Sequence, residues 1–344
     1  MSEVVLTEQL DQAIEAMFRT PDVPPQAPDA QIAELLGIAE ALRDLPREAF
    51  KASLKNELEM ATSVSDAKGK TESGDKSPRS KVSPIREGFR TVTPYLTVAN
   101  LLEEIEFVTK VFGAEGQIFG LGSAGGYHSE YRIGDSMLMI GGGGEGASWK
   151  GTPTPTSLHL YVENVDDVYH RAVQAGATVL MPPTDQDYGE RGAAIQDVGG
   201  NHWYIATSKG PEYIPEGVPN LMPFFNPRGA PKMIDFLKHA FGAAEVSVYQ
   251  SPDGIVHHAK IRIGDSIVEM GEAHGEWQPR PMTFMLYVDD VDAWYARAMK
   301  AEGAISMGEP ADQPYGGRVG AVKDPFDNLW YIGTHIKTKK SDTA

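Results

Sequence analysis

One feature limits this chain more than any other: it says the same things twice. LYVENVDDVYHRAVQAGA (Leu160 to Ala177) is echoed by LYVDDVDAWYARAMKAEGA (Leu286 to Ala304), with one residue inserted. DQDYGERGAAIQDVGGNHWYIAT is echoed by DQPYGGRVGAVKDPFDNLWYIGT at a constant offset, and FVTKVFGAE by FLKHAFGAA. Arg-Ile-Gly-Asp-Ser occurs at 132–136 and again at 262–266, each time four residues after a histidine, His128 or His258. Repeats of this length mark a duplicated domain rather than a short-period solenoid. Each copy has one internal rhythm. A short apolar run (VTPYLTV; LMPFF) leads into an amphipathic helix pattern and then three strand-like runs, and the same order follows once more. The pattern reads as βαβββ twice per copy and four times in all, an α+β chain whose modules curl their sheets around shared cavities.

The rest of the chain differs in kind. Leu10, Ile14 and Met17 recur at helical spacing, TPDVPPQAP interrupts them with four prolines, and Asp29 can cap a second helix carrying Ile32, Leu35, Leu36 and Ile38. A third helical stripe holds Phe50, Leu54 and Leu58. TSVSDAKGKTESGDKSPRSKVSPIRE is nearly free of apolar residues and reads as a flexible linker. The expected organisation is a helical segment at 1–61, a linker at 62–88, domains at 89–210 and 211–338, and a tail at 339–344. With no cysteine, disulfides, thiolate metal sites and cysteine nucleophiles are excluded, and a cytoplasmic setting is expected. A net charge of −17 repels phosphate backbones, so nucleic acid is not an expected partner. No apolar run reaches the ~20 residues of a membrane span, and no signal-peptide pattern opens the chain.

The doubled phrases resemble the glyoxalase/bleomycin-resistance/dioxygenase (vicinal oxygen chelate) superfamily, and within it the PhnB-like branch. The residues that carry the likeness are Pro94-Tyr95-Leu96 with Phe112-Gly113-Ala114, the two Arg-Ile-Gly-Asp-Ser phrases, and the two Leu-Tyr-Val-x-x-Val-Asp phrases. Asp-Gln-x-Tyr-Gly-x-Arg followed by Asp-x-x-x-Asn-x-Trp completes it in both copies. The resemblance implies two tandem domains whose modules can pair within one chain as single-domain relatives pair in a dimer. It also implies a divalent cation held by four side chains, acting as a Lewis acid. Counting along the strands puts those positions near Thr93, Met139, Ser157 and Tyr204 in the first copy, and near Met222, Glu269, Thr283 and Tyr331 in the second. Only Glu269 is a suitable ligand type. The expectation is therefore no metal site of the usual kind and no cofactor.

Strand alternation then nominates other groups. His128, Glu130 and Arg132 share one strand face, and His159 and Tyr161 share another. A cavity joining His128, Glu130 and His159 would carry acid–base chemistry or an atypical metal; the alternative is a solvated edge strand. His258 has Lys260 and Met285 at the matching positions, which favours the first copy as the chemical one. Tyr188 with Arg191, and Tyr315 with Arg318, would stand at cavity mouths, the arginines gripping a carboxylate or phosphate. The alternative pairs those arginines with scaffold carboxylates such as Asp197 or Asp324. Tyr161, His258, Glu269 and Tyr287 complete the expected ligand-binding set. Two functions follow: a metal-independent small-molecule binder, or an isomerase- or lyase-type enzyme using His128, Glu130 and His159. A further idea gives residues 1–61 a protein partner while the tandem senses a metabolite. The protein is expected as a monomer or homodimer.

Overall fold

A computed structural model describes residues 85–335 except 122–124, 276 and 314–316. The expected N-terminal helices, most of the linker, Tyr315 and the C-terminal tail lie outside the described residues.

Four βαβββ modules follow one another. The first comprises β1 (Val92–Val98), α1 (Leu101–Phe112), β2 (Glu115–Leu121), β3 (Tyr127–Ile133) and β4 (Ser136–Gly142). The second comprises β5 (Ser157–Tyr161), α2 (Val165–Gln174), β6 (Thr178–Asp185), β7 (Glu190–Gln196) and β8 (His202–Ser208). The third comprises β9 (Leu221–Phe225), α3 (Ala230–Phe241), β10 (Ala244–Gln250), β11 (Val256–Ile263) and β12 (Ser266–Met270). The fourth comprises β13 (Thr283–Tyr287), α4 (Val291–Ala298), β14 (Ile305–Asp312), β15 (Gly317–Lys323) and β16 (Leu329–His335).

Local chemistry sets the element ends. Gly113 and Gly242 close α1 and α3 in the left-handed conformation, each with φ 67°. Asn164 caps α2 by accepting from the backbone N–H of Asp166 and Asp167, and Asp290 caps α4 through Ala293. Alternation places Leu96, Val98, Leu158 and Leu160 in a core with Trp203 and Trp330. Trp330 stacks on Phe284 with ring centroids 4.3 Å apart. Both tryptophans are anchored: the Trp203 indole N–H donates to Asp197 at 2.6 Å and that of Trp330 to Asp324 at 2.9 Å. The carboxylates also accept from the backbone of Asn201 and Asn328. Asp-x-x-x-Asn-x-Trp is thus a folding device, used twice.

The eight-stranded sheets do not follow the sequence copies. One runs β14-β15-β16-β13-β1-β4-β3-β2 and the other β10-β11-β12-β9-β5-β8-β7-β6. Each sheet joins a module from one copy to a module from the other, through β1 against β13 and β5 against β9, both antiparallel. The helices instead stay with their own copy. Arg171 of α2 donates to the carbonyl of Val111 in α1, and Arg297 of α4 to that of Ala240 in α3.

The twin Arg-Ile-Gly-Asp-Ser phrases clasp the two copies together. Each is a two-residue hairpin loop whose glycine has positive φ, 58° at Gly134 and 60° at Gly264. Asp135 accepts from the backbone N–H of Asn220 at 2.9 Å, and Asp265 from that of Thr91 at 2.7 Å. Ser136 accepts from Leu221 N–H, and Ser266 from Val92 N–H. Each hairpin therefore holds the entry to the other copy's first strand. Glycine is needed for space as well as for φ. A Cβ on Gly134 would stand 2.3 Å from Asn220 Oδ1, and one on Gly264 2.2 Å from Thr91 Oγ1.

Candidate functional site

The crossed sheets divide the residues that sequence reasoning put in one cavity. His128 and Glu130 lie on β3 of the first sheet, and His159 on β5 of the second. The expected His128–Glu130–His159 set is therefore two separate half-sets.

On the first sheet the polar groups are engaged by the chain itself. Arg86, from the segment that enters β1, makes a two-pronged ion pair with Glu130, one contact measuring 2.7 Å. Burial pushes the Glu130 carboxyl up, but His128 and Arg86 outweigh it and hold the group below its usual value. His128 Nδ1 lies 3.0 Å from the Tyr95 hydroxyl. The Arg86 guanidinium covers the Phe89 ring at 4.4 Å, and Phe89 meets Tyr287 edge-on at 5.5 Å. Phe89, Met139 and Tyr287 form an apolar cluster on this inner face, with Ile85 and Met285 packed against it. Tyr287, an expected ligand contact, is buried beneath the chain's own entering segment.

The second sheet carries a denser charged cluster. Glu269 on β12 is fully buried, and His159 Nδ1 lies 2.5 Å from its Oε2. Lys260 Nζ stands 3.2 Å from Oε1, and His258 Nε2 3.8 Å from Oε2. Burial alone would raise the Glu269 carboxyl. His159, His258 and Lys260 overcome that and keep it well below the ordinary carboxylate range. An ionised carboxylate only accepts, so the His159 Nδ1 carries the proton of that bond. Tyr161 donates to Glu190 Oε1 at 2.5 Å, and its ring lies 4.5 Å from that of His159. Two buried polar atoms here lack an aligned hydrogen-bond partner: Glu269 Oε1, despite its closeness to Lys260, and Ser157 Oγ. Rings line the adjoining surface, with Tyr204 4.7 Å from Phe224 and 5.2 Å from Trp277. Arg280 donates to His202 Nε2 at 2.5 Å and to the Gly200 carbonyl at 3.0 Å.

The two faces are related by an exchange of charge. Glu130 faces Met139 across a β3–β4 rung, and Lys260 faces Glu269 across the equivalent β11–β12 rung. The anion of the first pair must be met from outside the sheet, by Arg86. The second pair is self-contained. Chemistry was expected in the first copy's residues, but the buried charged cluster sits on the second sheet. Strand counting alone could not show that Glu269 and His159, from different copies, meet.

The ladders also correct the counted metal positions. His159, not Ser157, shares its rung with Met222 and Tyr204, and Met285, not Thr283, shares one with Thr93 and Tyr331. The second sheet thus offers His159, Glu269, Met222 and Tyr204. Only two are ligand types, they bond each other, and an ammonium flanks them. The first sheet offers Thr93, Met139, Met285 and Tyr331. Neither set fits a divalent cation, and no cluster of three histidine, cysteine or acidic side chains suited to one occurs among the described residues.

The arginines expected at cavity mouths face the helices. Arg191 grips both oxygens of Asp166 at 2.6 and 2.7 Å and also pairs with Asp185; Arg318 does the same with Asp292 and Asp312. Their partners are therefore not Asp197 or Asp324, which hold the tryptophans. Of the Tyr-Gly turns, Tyr188 is described, and it stands exposed beside β7. Sequence reasoning passed over Arg280 and Trp277, and named Ser157 only as a counted metal position. Arg280 and Trp277 occur outside the repeated phrases, so nothing in the sequence distinguished them.

Comparison with known proteins agrees with this architecture. An uncharacterised protein of Mycobacterium bovis is 33% identical over 135 residues, covering 36% of this chain and 88% of its own. One from Mycobacterium tuberculosis is also 33% identical over 135 residues, covering 36% and 79%. Among solved structures, glyoxalase I from Zea mays superposes with a TM-score of 0.56 at 13% identity, over 71% of this chain and 92% of that one, a likeness of fold. The family model for the Glyoxalase/Bleomycin resistance protein/Dioxygenase superfamily matches residues 91–205 and 225–332. With two crossed-sheet domains and both repeats matched, this chain belongs to that superfamily, in tandem.

Proposed function

We propose that the protein binds a small molecule without a metal ion, on the inner face of the second sheet. The observation that carries this reading is a pair of buried polar atoms on that face: Ser157 Oγ, which has no hydrogen-bond partner among the described residues, and Glu269 Oε1, which has the Lys260 ammonium beside it but no aligned hydrogen bond. Leaving a buried hydroxyl such as that of Ser157 unmet costs roughly 1–3 kcal/mol, and a ligand bearing hydroxyl or amine groups would bond to both atoms. The repeated phrases support a likeness to PhnB-like and bleomycin-resistance members. The lack of cysteine supports a cytoplasmic setting. A thermal-shift screen of the full chain after dialysis against chelator tests the proposal. Ligands that raise the melting temperature of the stripped protein, and fail to do so in Glu269→Gln, are the expected result. Binding that appears only after a stoichiometric divalent metal is restored would overturn it.

One observation favours a second reading, an isomerase- or lyase-type enzyme. With its Nδ1–H donating to Glu269, His159 presents a ring whose Nε2 can exchange a proton with a substrate, the arrangement of an oriented general base. Glu269 and Lys260 here take the places expected of His128 and Glu130. Turnover of any screening hit that is lost in His159→Gln while binding persists would establish catalysis.

A further inference from the structure

The small-molecule reading leaves the ligand's chemistry open, and Arg280 narrows it. This guanidinium lies half-buried in the stretch between β12 and β13, with two neutral partners, the His202 ring nitrogen and the Gly200 carbonyl. Among the described residues it has no carboxylate partner. Burial pushes both Arg280 and His202 towards their uncharged forms, His202 to about 4. Since Nε2 accepts the arginine's proton, His202 is neutral and does not add to the charge. A buried arginine is ordinarily paired. Two of its five N–H donors are accounted for by these contacts, and the others have no protein partner among the described residues.

Its surroundings are built for a flat molecule. Trp277 meets His202 edge-on at 6.3 Å and lies 5.2 Å from Tyr204, which leans on Phe224. His202 and Tyr204 share the inner face of β8. His202 is level with Ser157, and Tyr204 with His159, the partner of Glu269. Glu269 pairs with Phe224 and is therefore level with Ser157 and His202, three strand spacings from β8, about 14 Å across the sheet. The corresponding rung of the first sheet sets Thr283 against Leu329 and has no such cation.

We infer that the second sheet takes a planar aromatic ligand carrying a carboxylate at one end, held by Arg280, and a hydroxyl at the other, donated to Glu269 Oε1 with Ser157 beside it. Trp277, Tyr204 and Phe224 form the aromatic wall. The inference rests on the small-molecule reading above and adds the ligand's charge and polarity.

The full-length protein should be titrated with 4-hydroxybenzoate, 4-hydroxybenzamide and benzoate, followed by calorimetry and tryptophan fluorescence. The carboxylate should bind about tenfold or more tightly than the amide, as a charge-assisted contact requires. Arg280→Gln should bring that ratio close to one, and Arg280→Lys should restore part of it. Benzoate should bind more weakly than its hydroxylated analogue, and Glu269→Gln should narrow that gap. Equal wild-type affinity for carboxylate and amide, or a ratio that survives Arg280→Gln, would overturn the inference. Should Arg280→Gln fail to fold, the wild-type ratio and the lysine variant decide. If none of the three compounds binds, the inference falls, while the broader reading is judged by its own thermal-shift screen.

Discussion

His159 Nδ1 and Glu269 Oε2 stand 2.5 Å apart although they come from different copies of the repeat. Their bond, with Lys260 beside it, is what keeps a fully buried carboxylate charged. Glu269→Ala would leave an ammonium and an imidazole facing an empty volume, and breaking a buried pair in this way costs roughly 3–5 kcal/mol. Glu269→Gln keeps the shape and should cost less. Urea denaturation of the two variants should show that order. Adding Lys260→Met to Glu269→Gln should recover stability, because it removes the stranded cation.

The same carboxylate makes a pH prediction. Its folded-state value lies well below the ordinary 4.5. Its contribution is therefore complete above about that pH and is lost as pH falls through the folded value. Wild type and Glu269→Gln should differ most in unfolding free energy at neutral pH and converge as the solution is taken to strongly acidic pH.

His202 should respond in a different range. Its folded value is lowered from 6.5 to about 4. As pH drops from 6.5, the unfolded chain takes up this proton first, so the group's contribution to stability declines until about pH 4 and then levels. In NMR titration the His202 ring should stay neutral at pH 5.5. It should protonate at higher pH in Arg280→Gln, where the repelling guanidinium is gone.

Gly264→Ala tests the clasp. The added methyl meets Thr91 from the other copy and requires a left-handed alanine. Strain of that kind costs on the order of 1–3 kcal/mol. Thr91→Ser in the same chain removes one of the colliding atoms, Cγ2. The double variant should therefore be more stable than Gly264→Ala alone, measured by calorimetry.

The architecture was legible because repetition and alternation are local signals. VTPYLTV, the glycine after Phe112 and the alternating LHLY each declare their element without help from distant residues. The site was only half legible. His159, His258 and Glu269 could be picked out by residue type, but their meeting depends on β5 lying beside β9, a pairing between copies that no local pattern encodes. For the same reason the set His128, Glu130 and His159 came apart. The counted positions Ser157 and Thr283 were displaced by two residues, a slip that keeps the correct face, so face alternation could not reveal it. Arg191 and Arg318 were misplaced differently. Their phrase is repeated, but the acids that receive them, Asp166 and Asp292, sit in the first turns of α2 and α4, and only the fold brings these together.

The crossed sheets also govern the order in which the molecule is completed. Val92 lies opposite Leu286 in the middle of the first sheet, so β1 leaves the ribosome long before its central neighbour has been translated. Until then its inner edge is open, and pairings this remote in sequence form slowly. The second sheet closes on a much shorter span, with Leu158 opposite Pro223. The charged face can therefore assemble while the first sheet still waits for its last module, and a chain interrupted before β13 would keep the Glu269 cluster and lose the other half of the protein.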